Sequence, residues 1–287
     1  MTTLLPPSLL GQLERLQLHT RQRLAGRFAG EHRSTRMGNS LDFADQREYF
    51  PGDDYRRIDY ALYARTGQLF VRLFEAEDDV HVRILLDASA SMGHGGKLDQ
   101  AKRLAAAVGF LALIRRDVVS LHLEPAGRPP RRFTGRHAAN ALFAELDAVE
   151  PAGPTDLRTA AGHLLARPGP AGVTVVISDL LTPSWEDAID RLPARGGDVS
   201  VLHVLAAEEL NPTDVGDLDV VDSESGERVP VSLSVDSVRS YRDVVDRWLV
   251  EAAARCRSRG ATYQRVMADE PIEDVVLRGW REHGVVR

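Results

Sequence analysis

The feature that most constrains the fold is an apolar strand followed at once by a loop of small residues and an apolar helix. Residues 80–87 end in the run Arg83-Ile-Leu-Leu-Asp87, residues 88–96 are rich in serine and glycine, and residues 98–115 are apolar on almost every helical face. A strand with this many consecutive apolar residues is expected at the centre of a parallel sheet, where both of its faces are buried. The unit therefore needs further strands and helices to cover it.

The same alternation of strands and helices continues along the chain. Strands are predicted at residues 118–123, 173–178, 199–205 and 262–266, and helices at residues 137–149, 157–166, 185–192, 237–258 and 272–283. This order predicts an α/β fold with a doubly wound, mostly parallel sheet and right-handed crossovers. Two β-like runs around a Ser-Glu-Ser-Gly-Glu segment predict an inserted β-hairpin at about residues 216–235.

The N-terminal part is predicted to be an extension of this core. Its helix, at residues 8–25, would dock through leucines on one face: Leu9, Leu13, Leu16 and Leu24. The arginines of the other face and of the residues that follow form either a solvated surface or a patch for an anionic partner. With a β segment at residues 69–74, the predicted division is residues 1–78, packed on the core, and residues 79–287 as the doubly wound domain.

A charged and aromatic block occupies residues 48–60. Pro51-Gly52-Asp53-Asp54 is typical of a turn, and the signs of the charges alternate from Asp53 to Asp59. Two interpretations stay open. The block either holds the N-terminal segment on the core by ion pairs or forms a docking surface for a partner.

Composition narrows the class of protein. The net charge of -6 argues against a nucleic-acid binder, which needs clustered basic residues to neutralise phosphates. One cysteine, Cys256, fits a reducing compartment. The start of the sequence lacks a basic segment before an apolar run, and the apolar run at residues 104–114 is too short for a bilayer. We therefore expect a cytoplasmic protein without membrane insertion.

Oxygen-bearing side chains follow the predicted strands at the places where ligands collect in parallel sheets. Asp87, Ser89 and Ser91 come at alternate positions after the first core strand, Thr155 precedes a helix, and Asp179 ends the strand at 173–178. Two carboxylates and three hydroxyls, without sulfur or imidazole, suit Mg²⁺, Mn²⁺ or Ca²⁺. We expect Mg²⁺, with water or an incoming carboxylate completing its shell.

This pattern of Asp-x-Ser-x-Ser, a later Thr and a later Asp resembles the metal-ion-dependent adhesion site of von Willebrand factor A domains. The flanking sequences are similar to those of the domain of unknown function 58 family, whose members usually stand beside MoxR-type AAA+ ATPases. The segments that carry this likeness are Tyr49-Phe-Pro-Gly-Asp-Asp-Tyr-Arg-Arg-Ile-Asp59, Tyr63-Ala-Arg-Thr-Gly67, Leu85-Leu-Asp-Ala-Ser-Ala-Ser-Met-Gly93 and Gly153-Pro-Thr-Asp-Leu157. The likeness runs from about residue 38 to near the C-terminus and departs at Tyr60, where Trp is expected.

The resemblance implies a von Willebrand factor A-like core and a set of metal-site positions: Asp87, Ser89, Ser91, Thr155 and Asp179. The hydroxyls would be direct ligands and the aspartates direct or water-mediated ones. It also implies a non-enzymatic adaptor that holds an Asp or Glu carboxylate of a partner through the metal. That partner would be a MoxR-type ATPase or its client, in the remodelling or maturation of protein complexes.

Three alternatives compete with this interpretation. Ser89 and Ser91 could simply cap the next helix, and Asp156 is a weaker ligand than Thr155 because a helix start favours an acidic residue anyway. A Mg²⁺-dependent phosphatase would need a general acid two residues after its nucleophile, where this chain has Ser89. The glycine-rich residues 92–98 lack the Ser or Thr that a nucleotide loop needs after Lys97, and we interpret them as a flexible lead into the helix.

Overall fold

The computed structural model describes residues 4–16, 18, 43–53, 55–74, 80–125, 128–212 and 216–286. The chain forms two compact units: residues 1–26 together with residues 80–287, and residues 27–79. Among the described residues, no helix combines the length and the apolar character that crossing a bilayer requires.

The elements follow one another in the order that the sequence predicts for an α/β fold. The strands are β1 (Phe43–Glu48), β2 (Phe70–Phe74), β3 (His81–Asp87), β4 (Val118–Glu124), β5 (Arg131–Thr134), β6 (Gly172–Ser178), β7 (Asp198–Leu205), β8 (Gly216–Val221), β9 (Arg228–Leu233) and β10 (Thr262–Met267). The α-helices are α1 (Pro7–Leu13), α2 (Tyr60–Thr66), α3 (Lys97–Ile114), α4 (Ala139–Asp147), α5 (Leu157–Ala166), α6 (Trp185–Arg191), α7 (Ala207–Leu210), α8 (Val235–Ser258), α9 (Ile272–Asp274) and α10 (Trp280–Glu282).

A six-stranded sheet forms the centre of the large unit, with the strand order β10-β7-β6-β3-β4-β5. All neighbouring strands are parallel except β5, which pairs antiparallel with β4. Counted in chain order, this is the doubly wound order 3-2-1-4-5-6, whose switch point lies between the first and fourth strands. The predicted α/β class with a doubly wound, mostly parallel sheet is confirmed, and the switch point falls between β3 and β6.

Burial explains why the central strands were predictable and the edge strand was not. Every residue of β6 is buried, as is β3 after His81. In β5, by contrast, only Phe133 is buried, so its sequence lacks an apolar run. The helix predicted at residues 272–283 is interrupted by a π-helical turn at Val275–Gly279.

Helix α1 docks on the core as predicted but is shorter than its sequence pattern. The side chains of Leu9, Leu13 and Leu16 are buried in the main apolar cluster. The helix ends at Leu13, and Arg115 donates hydrogen bonds to the carbonyl oxygens of Glu14 and Leu16 (both 3.2 Å). Those carbonyls are therefore not used to continue the helix. Leu24 and the arginines at positions 21–36 lie outside the described residues.

The small unit contains an antiparallel pair, β1 and β2, and the helix α2. The side chain of Asp59 accepts hydrogen bonds from the backbone of Ala61 and Leu62 and so caps α2. Within the same unit Arg47 and Asp53 form a bidentate ion pair (2.7 and 2.8 Å). Part of the alternating charge thus serves structure within this unit, and a docking role for the block stays a prediction.

The inserted hairpin is also present. Strands β8 and β9 pair antiparallel from Gly216 opposite Leu233 to Val221 opposite Arg228. Most of its side chains are exposed, so the hairpin adds little to the core.

Candidate functional site

The predicted oxygen ligands meet at the switch point of the sheet. Asp87 is the last residue of β3, Asp179 directly follows β6, and these two strands are hydrogen-bonded neighbours. Both side chains are almost completely buried. The topology therefore places two carboxylates at one edge of the sheet, where burial and, after it, the negative charge of Asp179 raise the pKa of Asp87.

Backbone hydrogen bonds bring a third segment to the same place. The N–H of Ala152 donates to the carbonyl of Ala88, and the N–H of Ala90 donates to the carbonyl of Gly153 (both 2.9 Å). Gly153 has a φ of +69°, which an L side chain rarely adopts. This turn carries Thr155 to the end of β3, where its Oγ1 donates to Oδ1 of Asp87 (3.0 Å).

Asp87 is the most hydrogen-bonded group of the site. Its Oδ1 also accepts from the backbone N–H of Ser89 (3.0 Å), and its Oδ2 accepts from Oγ of Ser178 (2.6 Å). Burial, followed by the charge of Asp179, raises the pKa of Asp87, and these hydrogen bonds oppose that rise. A nearby cation would favour the charged form in the same way as the hydrogen bonds.

The two serines after β3 face each other. Their Oγ atoms are 3.0 Å apart, with Ser89 buried and Ser91 partly exposed. Ser89 directly precedes a short 3₁₀ helix (Ala90–Gly93), but its side chain makes no capping hydrogen bond there. Helix α3 begins only after Gly96. The capping alternative for Ser89 is therefore wrong.

Lys97 is a member of the site that the sequence did not reveal. Its Nζ lies 2.7 Å from Oδ2 of Asp179 and also contacts Glu209, with the Lys97 side chain fully buried. The partners stand 82 and 112 residues away along the chain, so no local pattern links them. Just before Lys97 the chain passes close to another segment, because a Cβ on Gly95 would lie 2.4 Å from Cβ of Ala206. The flexibility expected of residues 92–98 stays a prediction.

The backbone after Asp179 is held in an uncommon conformation. Leu180 has a φ of +55°, in the left-handed region that costs energy for a leucine and is characteristic of functional sites. Nε2 of His203 lies 2.8 Å from the Asp179 carbonyl oxygen, and its Nδ1 lies 2.8 Å from the hydroxyl of Tyr263. Burial lowers the pKa of His203 to about 4. The imidazole is thus neutral, donates to Asp179 and accepts from Tyr263.

Asp156 has a different task from its neighbour Thr155. Its Oδ1 accepts from the backbone N–H groups of Arg158 and Thr159, and its Oδ2 accepts from the Thr159 hydroxyl (2.6 Å). Hydrogen bonding, that of the Thr159 hydroxyl above all, lowers the pKa of Asp156 to about 2. Asp156 therefore caps α5.

The site offers hydroxyl oxygens and, next to them, two carboxylates. In the described part of the chain, no three side chains drawn from His, Cys, Asp and Glu converge to hold a metal by themselves. A cation here would depend on Ser89, Ser91 and Thr155. Such oxygen donors suit Mg²⁺ and exclude a thiolate or imidazole zinc site.

An apolar groove adjoins the site. It has a volume of about 220 Å³ and is lined by Leu181, Leu205, Glu209, Leu210, Tyr241, Val244, Val245 and Trp248. Leu181 follows Asp179 closely and is 46% exposed. The Tyr241 hydroxyl donates to the backbone oxygen of Glu209 (2.7 Å). Glu209 therefore both lines the groove and pairs with Lys97.

Two solved structures share weak similarity with the chain. One is the conserved hypothetical protein BatB from Bacteroides thetaiotaomicron, with 19% identity, a TM-score of 0.40 and coverage of 66% of this chain and 90% of that one. The other is an aerotolerance-related membrane protein from Bacteroides fragilis, with 18% identity, a TM-score of 0.40 and coverage of 71% and 98%. Likeness at this level supports no conclusion about function.

Sequence relatives are closer. The chain is 33% identical over 238 residues to the uncharacterized proteins Rv1480 of Mycobacterium tuberculosis and Mb1516 of Mycobacterium bovis, covering 77% of this chain and 72% of each relative. The family described as protein of unknown function DUF58 matches residues 45–247. The chain therefore belongs to the DUF58 family.

Proposed function

We propose that this protein is a non-enzymatic, metal-dependent adaptor that binds a carboxylate of a partner protein. One observation carries the proposal: the hydroxyl of Thr155 and the backbone N–H of Ser89 both donate to the buried carboxylate of Asp87 at the switch point of the sheet, and the hydroxyls of Ser89 and Ser91 lie 3.0 Å apart beside it. Crevices at this position are the usual ligand sites of doubly wound folds.

The donor set fits Mg²⁺. An octahedral Mg²⁺ with ligands at about 2.0 to 2.1 Å places adjacent ligands about 2.9 Å apart, close to the 3.0 Å between the Oγ atoms of Ser89 and Ser91. These serines and Thr155 would be direct ligands. Asp179, whose oxygens accept from Lys97 and from the N–H of Leu181, would contribute through water and through its charge.

A phosphatase is the alternative from another class. Its nucleophile would be Asp87, but Ser89 occupies the position of the general acid. Lys97 could in principle balance phosphate charge, yet its side chain is fully buried between Asp179 and Glu209. These two features favour binding over turnover.

The partner is proposed from chemistry and from family membership. A hard cation with an open position favours Asp or Glu, and exposed Leu181 beside the apolar groove offers contact area to a protein. DUF58 members usually stand beside MoxR-type AAA+ ATPases, so we propose such an ATPase or its client as the partner. The setting we propose is the cytoplasm, in the maturation or remodelling of a protein complex.

Affinity capture from the native cells tests the adaptor proposal. The tagged protein should retain a MoxR-type ATPase or a client in Mg²⁺ and release it into chelator. Ser89→Ala with Ser91→Ala should lose the same partners while circular dichroism stays unchanged. A matched control, Ser8→Ala with Ser258→Ala, changes two exposed serines away from the site and should retain them. Capture that ignores both chelator and the site variant would move the binding surface elsewhere.

A further inference from the structure

Two arginine side chains meet near the amino ends of the central strands, far from Asp87 at the carboxyl end of β3. Arg83 is the third residue of β3, and its side chain is only 4% exposed. Arg195 comes from the segment that precedes β7 and is partly exposed. Both contact the exposed loop at residues 167–170, because Arg83 donates to the carbonyl of Pro170 (2.6 Å) and Arg195 donates to that of Arg167 (2.5 Å).

The two guanidinium groups converge beside Gly169. A Cβ on Gly169 would lie 3.3 Å from Nη2 of Arg195 and 3.4 Å from Nη2 of Arg83. Nδ1 of His81 would be 3.8 Å from the same point, and it lies 3.4 Å from Nη2 of Arg83. Gly169 itself is exposed. Two positive charges are therefore next to each other at a place that borders on solvent.

The hydrogen bonds of these arginines leave donors unused. Beyond their contacts with the loop, Arg195 donates to the carbonyls of Leu164 (2.6 Å) and Leu165 (3.4 Å). Nη1 of Arg83 and Nε of Arg195 are buried and have no hydrogen-bond partner among the described residues. In that part of the chain, no Asp or Glu forms an ion pair with either arginine. Neutral carbonyl oxygens hold the side chains in place but do not offset two charges, and an unpaired buried charge is costly.

The electrostatic effects agree with this geometry. Burial, followed by the positive charge of Arg195, lowers the pKa of Arg83 to about 10. After burial, the positive charges of Arg167, Arg83 and Arg195 also lower the pKa of His122 on the neighbouring strand β4. An anion beside the two guanidinium groups would offset this repulsion.

We propose that Arg83 and Arg195 form a binding site for a phosphate group, carried by inorganic phosphate or by a small phosphate monoester. The planar donors of a guanidinium match phosphate oxygens in geometry. A phosphate group carries nearly two negative charges at pH 7, enough to offset both arginines. Arg83 stands four residues before Asp87 on an extended strand, which is about 13 Å. The inference therefore does not rest on the proposed function.

Calorimetric titration of the full chain tests this, with inorganic phosphate and methyl phosphate as probes and with chloride keeping the ionic strength constant. We expect saturable binding, and the tighter probe shows whether the site prefers free or esterified phosphate. Arg83→Met keeps the length of the side chain and removes its charge. Phosphate affinity should then fall at least about tenfold, because a hydrogen bond between charged groups contributes that much. Arg191→Met replaces an exposed arginine at the end of α6 and should bind as the unmodified protein does.

A second variant and a second readout separate binding from a structural role. Arg195→Lys keeps the charge but loses the planar fork, so it should also weaken phosphate binding, and it decides the matter if Arg83→Met does not fold. Phosphate should raise the Tm of the unmodified protein and of Arg191→Met, but not that of Arg83→Met. Equal rises in all three proteins would overturn the proposal, as would the absence of saturable binding to the unmodified protein. Neither result would bear on Mg²⁺ binding beside Asp87.

Discussion

Nζ of Lys97 lies 2.7 Å from Oδ2 of Asp179, and neither side chain has more than 2% of its surface exposed. Glu209, 19% exposed, is the second partner of the same ammonium group. The three residues join the start of α3, the end of β6 and the short helix α7. This cluster fixes one wall of the candidate site, and its integrity depends on a single positive charge.

Lys97→Met should therefore destabilise the protein strongly. It leaves two carboxylates without their shared cation, and breaking a buried ion pair from one side costs about 3–5 kcal/mol. Urea unfolding measures the change. Lys102→Met is the matched control on the same helix, because Lys102 is also buried but, among the residues that the structure describes, donates only to the backbone oxygen of Asp147 (3.3 Å). Equal losses in the two variants would contradict a special role for Lys97.

Mg²⁺ should stabilise the folded protein by mass action. At about 100 times its Kd, a ligand specific for the folded state adds about 2.7 kcal/mol, which corresponds to a rise in Tm of roughly 5 to 10 °C. Asp87→Asn, which keeps the size of the side chain and removes its charge, should lose most of that gain. Calorimetry with and without Mg²⁺ measures both, and an unmodified protein indifferent to millimolar Mg²⁺ would refute the metal site.

An assay of phosphate-ester hydrolysis tests the proposed absence of catalysis. With Ser89 in place of a general acid and Lys97 enclosed by carboxylates, hydrolysis of a generic phosphate ester should not exceed the background of Mg²⁺ alone. Asp87→Asn serves as the control. Turnover by the unmodified protein that disappears in this variant would identify a phosphatase instead.

The sequence predicted what depends on local pattern. The helix predicted at residues 157–166 is observed as Leu157–Ala166, because its apolar spacing and the capping Asp156 both lie within a few residues. The strand ending in Asp87 was equally clear from its apolar run. Asp179 could be placed beside Asp87 because parallel strands end at one edge of the sheet, whereas Thr155, which precedes a helix, was matched to the site by the family resemblance.

Some features could not be predicted from the sequence, because they depend on residues far apart in the chain or because their segment has no regular apolar pattern. Lys97 meets residues 82 and 112 positions away along the chain. Strand β5 has a single buried side chain, Phe133, so alternation could not identify it. Helix α1 ends early where Arg115, more than 90 residues later, takes the carbonyl oxygens of Glu14 and Leu16.

A buried histidine on β4 gives the protein a sensitivity to acid. Burial, followed by the positive charges of Arg167, Arg83 and Arg195, lowers the pKa of His122 to about 4. In the unfolded chain a histidine titrates near pH 6.5. Between these two values the unfolded state binds more protons than the folded state, so the free energy of unfolding contributed by His122 falls as the pH is lowered.

His122→Gln removes this titration and should alter the pH profile of stability in a defined window. From about pH 6.5 down to about pH 4, the variant should gain stability relative to the unmodified protein. In this window His122 binds a proton in the unfolded state but not in the folded state, and the substitution removes that stabilisation of the unfolded state. Above that window the difference between the two proteins should be constant. Urea unfolding at several pH values measures the profiles, and the exposed His137→Gln shows whether removing any imidazole has the same effect. If the profiles of His122→Gln and the unmodified protein stay parallel down to pH 4, His122 is not the buried neutral group that its surroundings indicate.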